Sequence, residues 1–326
     1  MILSRISFGQ LDRYLSSGIP NPVQWLAEDL LIPGNILYCD HFTIKTTDGT
    51  QSVLLAGVES TTGYTNGAGE TAKFNKIASF VQLNSSHVVI ADRRNSCIRL
   101  LDRTDNTVSD YAGRCHAYGY LDGKFAEALL NNPRCMVKGE EEFSHLIFAT
   151  ESDGNSIRYL DNRDEVVGTV VNIPWGGQLP TGLTIDTEYS KSLIVAHSSK
   201  IIRRVAIKLN RKGNYTDLYR YAVGDTKDGE YSEATLPNTR GIMGIARGVY
   251  LIPTNQSRIR VLDTHDEMIS SICTGQPEYR SGSISECAIP GSYSISLVGR
   301  TLYIGGKTAI YKMLSKFIME TVYSVV

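Results

Sequence analysis

Ile98-Arg99-Leu100-Leu101-Asp102 recurs as Ile157-Arg158-Tyr159-Leu160-Asp161 and as Ile259-Arg260-Val261-Leu262-Asp263. A looser copy is Ile202-Arg203-Arg204-Val205-Ala206, and weaker ones are Ile44-Lys45-Thr46 and Ile310-Tyr311-Lys312-Met313. Apolar and polar residues alternate within each copy, which is the pattern of a half-buried strand because strand side chains change face at every residue. A near-continuous apolar run stands ahead of each copy: Ile36–Asp40, Val88–Asp92, Leu146–Thr150, Leu193–His197, Val249–Pro253 and Thr301–Gly305. Such a run fits a strand covered on both faces, as between stacked sheets. A third strand follows and often ends in a small residue and glycine, as in Leu54-Leu55-Ala56-Gly57, Asp110-Tyr111-Ala112-Gly113, Tyr221-Ala222-Val223-Gly224 and Ile272-Cys273-Thr274-Gly275. Next come turn signals such as Asn66-Gly67, Asp122-Gly123, Asp228-Gly229 and Ser281-Gly282. A short return segment (Phe74–Ile77, Leu130–Pro133, Leu179–Gly182, Leu236–Thr239) then leads to an innermost strand.

The unit repeats at spacings of about 45 to 59 residues, near the period of a four-stranded propeller blade, and 326 residues accommodate six. The expected fold is all-β: a six-bladed β-propeller, four strands per blade, in one domain over 1–326. Approximate blade bounds are 1–53, 54–110, 111–170, 171–218, 219–271 and 272–326. Helical content is limited to short turns at Gln24–Ile32 and Glu127–Asn131. Radial repeats must join their ends to suppress exposed edges. Either Glu320–Ser324 or the N-terminal stretch Ser4–Gly9 could complete the last blade, and the N-terminal strand is expected to pair near the C-terminal one. The pattern resembles the NHL repeat family: small-Gly, a loop with Asp-Gly, an Asn-x-Pro return, a strand ending in Ala-Asp, and the Ile-Arg pentapeptide. Tyr111–Asp161 matches best and 171–218 least, lacking both Ala-Gly and Asp-Gly.

Composition removes several function classes. Apolar residues make up 42% and charged residues 21%, ordinary for a globular protein and too apolar and too weakly charged for disorder. No stretch is apolar enough to cross a membrane as a helix. Net charge is -1, from 33 Lys+Arg against 34 Asp+Glu, a poor balance for general nucleic-acid binding. The densest basic run (Lys200, Arg203, Arg204, Lys208, Arg211, Lys212) reads as a solvated edge. The first residues do not form a signal peptide as written, so the chain is either intracellular or shown without its leader.

Six cysteines occur, none in a Cys-x-x-Cys pair. Cys115 and Cys135 flank one repeat loop, and Cys273 and Cys287 flank another. The resemblance to secreted NHL-type propellers, in which such loops carry disulfides, implies Cys115–Cys135 and Cys273–Cys287 bonds, with Cys39–Cys97 as a remaining pair between neighbouring blades. The alternative is six buried thiols. Disulfides would place the chain outside the reducing cytosol. The sequons Asn84, Asn214 and Asn255 are compatible with that location and add little to it.

Catalysis in related propellers takes place in the central channel. The resemblance to zinc-dependent amidating lyases would require three converging histidines, but the six here are scattered over different strand ends and loops. A calcium site of the gluconolactonase or paraoxonase kind would draw on Asp40, Asp92, Glu151, Asp153 and Asn255, with His197 a further weak channel candidate. An aspartate after a strand is equally well turn chemistry. No cofactor and no catalytic metal is expected. The reading is a non-enzymatic extracellular module that binds a protein, possibly another copy of itself, through its loop face. The alternative is a metal-dependent lyase or hydrolase, and an RNA-binding domain is a third reading that the charge balance disfavours. Binding candidates are the aromatic and basic loop residues Tyr64, Tyr118, Tyr120, Trp175, Tyr231, Tyr279 and Arg280, since such residues dominate interface hot spots.

Overall fold

The computed structural model describes residues 8–16, 19–153, 156–173, 179–198, 201–209, 215–220, 227–273, 276 and 278–315. Every regular element among them is a strand or a short 3-10 turn. The strands form six antiparallel sheets, each a blade; in blades 1 to 5 four consecutive strands run from the innermost outward. Blade 1 is Trp25–Glu28, Ile36–Cys39, Thr43–Thr47 and Ser52–Gly57, and blade 2 is Ile77–Gln82, His87–Asp92, Cys97–Asp102 and Thr107–Ala112. Blade 3 is Pro133–Lys138, Leu146–Glu151, Ser156–Asp161 and Val166–Asn172, and blade 4 is Pro180–Ile185, Ser192–His197, Ile201–Ala206 and Tyr215–Arg220. Blade 5 is Met243–Ala246, Val249–Pro253, Ile259–Asp263 and Met268–Ile272. Blade 6 is Ser294–Val298, Thr301–Gly305 and Ile310–Ser315, and its outer strand is the N-terminal Phe8–Leu15.

The apolar second strands explain how the ring coheres. Val88 and Ile90 pack toward blade 1, while Val89 and Ala91 pack toward blade 3. Leu146 and Phe148 face blade 4, while Ile147 and Ala149 face blade 2. Each second strand is thus shared between two cores, which is why its sequence lacks polar alternation. Clusters at the remaining blade boundaries close the circle, the last uniting Leu15, Val23, Leu26, Tyr38 and Ile310 between blades 6 and 1. Burial of each Leu, Ile or Phe side chain contributes about 1.5–3 kcal/mol, so the blade boundaries hold the ring.

Several sequence expectations change. Three blades carry a fifth strand: Gly67-Ala68 on blade 2, Gly123-Lys124 on blade 3 and Gly229-Glu230 on blade 5. The glycine-turn connections therefore run over the outer edge of the following blade. In blades 1 to 5 the outer strand belongs with the three strands before it, so cuts at 54 and 111 divide a sheet. Trp25–Glu28 is a strand and not a helical turn, held by its register against Ile36–Cys39. Blade 4, whose unit lacks the glycine signals, has no fifth strand among the described residues.

The covalent links also differ from expectation. Cys273 and Cys287 are joined, but the second bond is Cys97–Cys115, and Cys39 and Cys135 are buried free thiols. Register explains this. Cys273 occupies the place of Gly113: the amide of Gly113 donates to Phe125 O at 2.8 Å and that of Cys273 to Ile284 O at 2.8 Å, and both residues have positive φ. Five residues after the turn glycine stand Cys287 in one loop and Ala128 in the other, so Cys135 lies too far along to be the partner of Cys115. It sits on the innermost strand of blade 3, while Cys115 folds back onto Cys97, where the third strand of its own blade begins. Gly57 marks the same corner in blade 1; at φ +101° any Cβ there would meet Phe42 O at 2.1 Å.

Candidate functional site

The innermost strands of blades 2, 3 and 4 begin with an irregularity. Register shifts fall between Ile77 and Ser79, between Pro133 and Met136, and between Pro180 and Gly182. In the other blades the amides of Gln24, Arg240 and Tyr293 donate to Cys39 O, Pro253 O and Gly305 O, at 2.8, 2.8 and 2.8 Å. A bulge re-aims a side chain out of the ladder. The residues at these six strand entries, Gln24, Ala78, Arg134, Thr181, Arg240 and Tyr293, come one from each blade, and all six line a single cavity at the mouth of the central channel, with about 290 Å³ of solvent space. His41, Lys76 and Arg93 add to its wall from blades 1 and 2.

Four cations therefore meet at the mouth: Lys76, Arg93, Arg134 and Arg240. The Nε of Arg93 is buried without a hydrogen-bond partner. Burial, followed by the nearby charges of Arg93, Arg94 and Arg134, holds the Lys76 ammonium below the usual lysine range. Arg93 and Arg134 are lowered in the same direction, by burial first, with Arg134 adding to the effect on Arg93 and Arg240 to that on Arg134, against an opposing influence of Cys135. His41 is likewise pushed toward its neutral form, by burial and then by Lys76. Lys76 itself holds a left-handed backbone, φ +70°. Arg240 lies over the Tyr293 ring, 5.3 Å from its centroid.

The acidic channel candidates have other duties. Asp92 accepts from Arg99 at 3.2 Å, from Asn95 at 2.7 Å and from the Asn75 amide at 2.8 Å. Glu151 repeats this one blade on, accepting from Arg158 at 3.2 Å and from the Asn131 amide at 2.8 Å. Asp40 accepts from the Phe42 and Thr43 amides at 2.7 and 2.8 Å, which is turn chemistry. Asp153 accepts from Asn132, and Asn255 is exposed beside it in the repeat, its amide bound to Asn238 O. His197 is fully buried and its pKa is pushed down to about 3, by burial and then by Arg203. Among the described residues no three His, Cys, Asp or Glu side chains are grouped as metal ligands. A calcium or zinc ion does not fit here: it would have to displace the guanidinium groups from Asp92 and Glu151 and sit among four cations.

The aromatic candidates divide. Tyr64 donates to Asp110 and lies under the Arg99 guanidinium, at 4.7 Å. Tyr231 is half-buried and donates to Asp263 O at 2.8 Å, and Tyr279 stacks on Tyr311 at 5.4 Å beneath Arg13. Arg280 is exposed and bridges Ala288 through its backbone. Tyr118 and Tyr120 differ, each 60% exposed, with Leu121 beside them at 52%. Their hydroxyls are tied down, Tyr118 to Arg94 O at 3.2 Å and Tyr120 to Asp153 O at 2.7 Å, at second-to-third-strand turns on the channel-mouth end. Trp175 and Asn214 lie outside the described residues, whereas Asn84 is exposed in a turn.

No protein-family model matches the sequence, and no curated protein matches it either. Solved structures do resemble the fold. An auxiliary nutrient binding protein from Bacteroides thetaiotaomicron superposes with a TM-score of 0.71 at 10% identity, over 95% of this chain and 77% of that one. A gluconolactonase from Xanthomonas campestris gives 0.64 at 13% identity, over 96% and 92%. A luciferin-regenerating enzyme gives 0.62 at 11% identity, over 93% and 94%. At these identities the likeness concerns the propeller fold, and one fold hosts many functions.

Proposed function

We propose that this chain is a non-enzymatic binding module of the extracellular space that engages a protein through the end of the propeller carrying the channel mouth. The observation that carries the reading is the pair Tyr118 and Tyr120, whose rings stay exposed while hydrogen bonds fix their hydroxyls. Rigid aromatic groups give large contact area at little entropic cost, as binding hot spots require. Two disulfides support an oxidising location. The name of the nutrient-binding neighbour suits a binding role as well. The Tyr118→Ala/Tyr120→Ala variant is expected to keep its melting temperature within a few degrees and to lose partner capture or self-association by tenfold or more, measured by surface plasmon resonance and sedimentation. Unchanged association with lowered stability would make the tyrosines structural and sink the reading. The second reading, a lactone hydrolase, is favoured by the likeness to the gluconolactonase. Turnover of a sugar lactone by the purified chain with added calcium or zinc would decide for it.

A further inference from the structure

We propose that the channel mouth is a binding site for a small, multiply charged oxyanion, carboxylate or phosphate, held by Lys76, Arg93, Arg134 and Arg240. The contrast within the chain is what points to a ligand. The arginines of the third strands all have carboxylate partners: Arg99 has Asp92, Arg158 has Glu151 and Asp122, Arg203 has Asp217, Arg204 has Asp186, and Arg260 has Asp228. At the mouth, among the described residues, no carboxylate lies within ion-pair distance of any of the four cations, although the chain as a whole carries one more acid than base. Asp153 is the nearby acid, and it acts on Arg93 from beyond contact. Converging like charges without counter-charge destabilise the unliganded ring, so the arrangement is one that an anion would relieve.

The geometry suits an anion of limited size. Arg134 is delivered by the register shift in blade 3, Arg240 by the segment entering the innermost strand of blade 5, where its amide donates to Pro253 O, Lys76 by its own left-handed backbone just before the innermost strand of blade 2, and Arg93 by the second-to-third-strand turn of that blade. Backbone strain at a non-glycine residue is a recurrent feature of ligand clamps. Guanidinium groups bind carboxylate and phosphate oxygens in pairs, and three of the four cations here, Arg93, Arg134 and Arg240, carry one. The cavity of about 290 Å³ holds roughly ten water volumes, matching a small molecule more closely than a polymer. Gln24 and Tyr293 add neutral hydrogen-bonding groups at the rim.

The test is isothermal titration of the purified chain with pyrophosphate, with citrate and with uncharged glucose, at 50 and 300 mM NaCl. Saturable binding of one or both anions that weakens with salt, and none of glucose, is expected. Binding of both assigns a shared oxyanion site, and binding of one identifies phosphate or carboxylate as the source. Arg134→Gln and Lys76→Gln are each expected to weaken binding at least tenfold while the melting temperature without ligand stays level or rises, since like-charge repulsion is removed. No saturable binding of either anion, or variants that bind as well as the unmodified chain, would overturn the assignment. So would tight binding of a single-stranded oligonucleotide without binding of the small anions. The Tyr118→Ala/Tyr120→Ala variant should bind the anions normally, which keeps this site separable from the protein-binding reading.

Discussion

Arg99, Arg158 and Arg260 occupy the polar position of the repeated pentapeptide, where strand alternation leads one to expect a solvent-facing group. All three are instead buried, each with its charge matched by an acid from the preceding strand or from the loop that crosses its blade. A buried charge must be paired to be tolerated, and breaking such a pair costs about 3–5 kcal/mol. The pentapeptide is therefore a tie between a blade and its crossing loop as well as a strand signature. His197, at the equivalent strand end in blade 4, obeys a different rule. Its imidazole is neutral in the fold, with a pKa of about 3 set first by burial and then by Arg203. In the unfolded chain it takes up a proton below about pH 6.5. Stability linked to this residue is thus present above about 6.5 and declines as pH falls from there toward about 3, by about 1.4 kcal/mol per unit. Urea unfolding at pH 7.5, 6 and 5 should show the unmodified chain losing stability relative to His197→Leu by about 2 kcal/mol between 7.5 and 5. Parallel curves for the two proteins would mean that His197 is protonated in the fold.

The strand elements were legible because hydrophobic period and turn glycines report local structure, and both were repeated. What sequence pattern could not carry was register at the corners. Cys273 does the work of a small-Gly corner with a side chain that no consensus would place there, so the motif seemed to end at Gly275 and the disulfide partners in the neighbouring loop were misaligned. The channel mouth was illegible for a related reason. Its strand-entry residues are Gln, Ala, Arg, Thr, Arg and Tyr, one per blade, and only their shared place at the entry to an innermost strand makes them equivalent. A sequence alignment of the return segments anchored on the residue two before the apolar part of the innermost strand would have brought Arg134 and Arg240 together. The corrected pairing has a direct check. Alkylation under native conditions should modify neither Cys39 nor Cys135, which are buried, and alkylation after unfolding should modify only these two. Digestion should yield linked peptides carrying Cys97 with Cys115 and Cys273 with Cys287. Replacing Cys97 and Cys115 together by Ala is expected to cost about 3 kcal/mol, since the bond closes a loop with a sequence separation of 18. A linked peptide carrying Cys115 with Cys135 would refute the register argument.

At the scale of the molecule, stability depends on how the ring is closed. Phe8–Leu15 pairs antiparallel with Ile310–Ser315, so the first strand in sequence completes the last blade. Leu11 and Leu15 are fully buried, one in the core between blades 5 and 6 and the other in the core between blades 6 and 1. The strand is also tied to the loop leaving blade 5. The Leu11 amide donates to Gly282 O at 3.0 Å, and Ser281 donates to Leu11 O at 2.8 Å. That loop is closed by the Cys273–Cys287 bond, so a covalent link braces the segment against which the closing strand packs. Without the strand, blade 6 presents an unpaired edge and two apolar cores open, each lost leucine costing about 1.5–3 kcal/mol. Removing residues 1–16 is therefore expected to lower soluble yield severalfold and to shift the remainder to large species on size exclusion. The single substitution Leu11→Asp, which leaves the backbone pairing in place, should lower the melting temperature and increase self-association in the same direction. A truncated chain that remains monomeric with an unchanged melting temperature would show that the segment Glu320–Ser324 can supply the outer strand of blade 6, and that ring closure does not depend on the N-terminus.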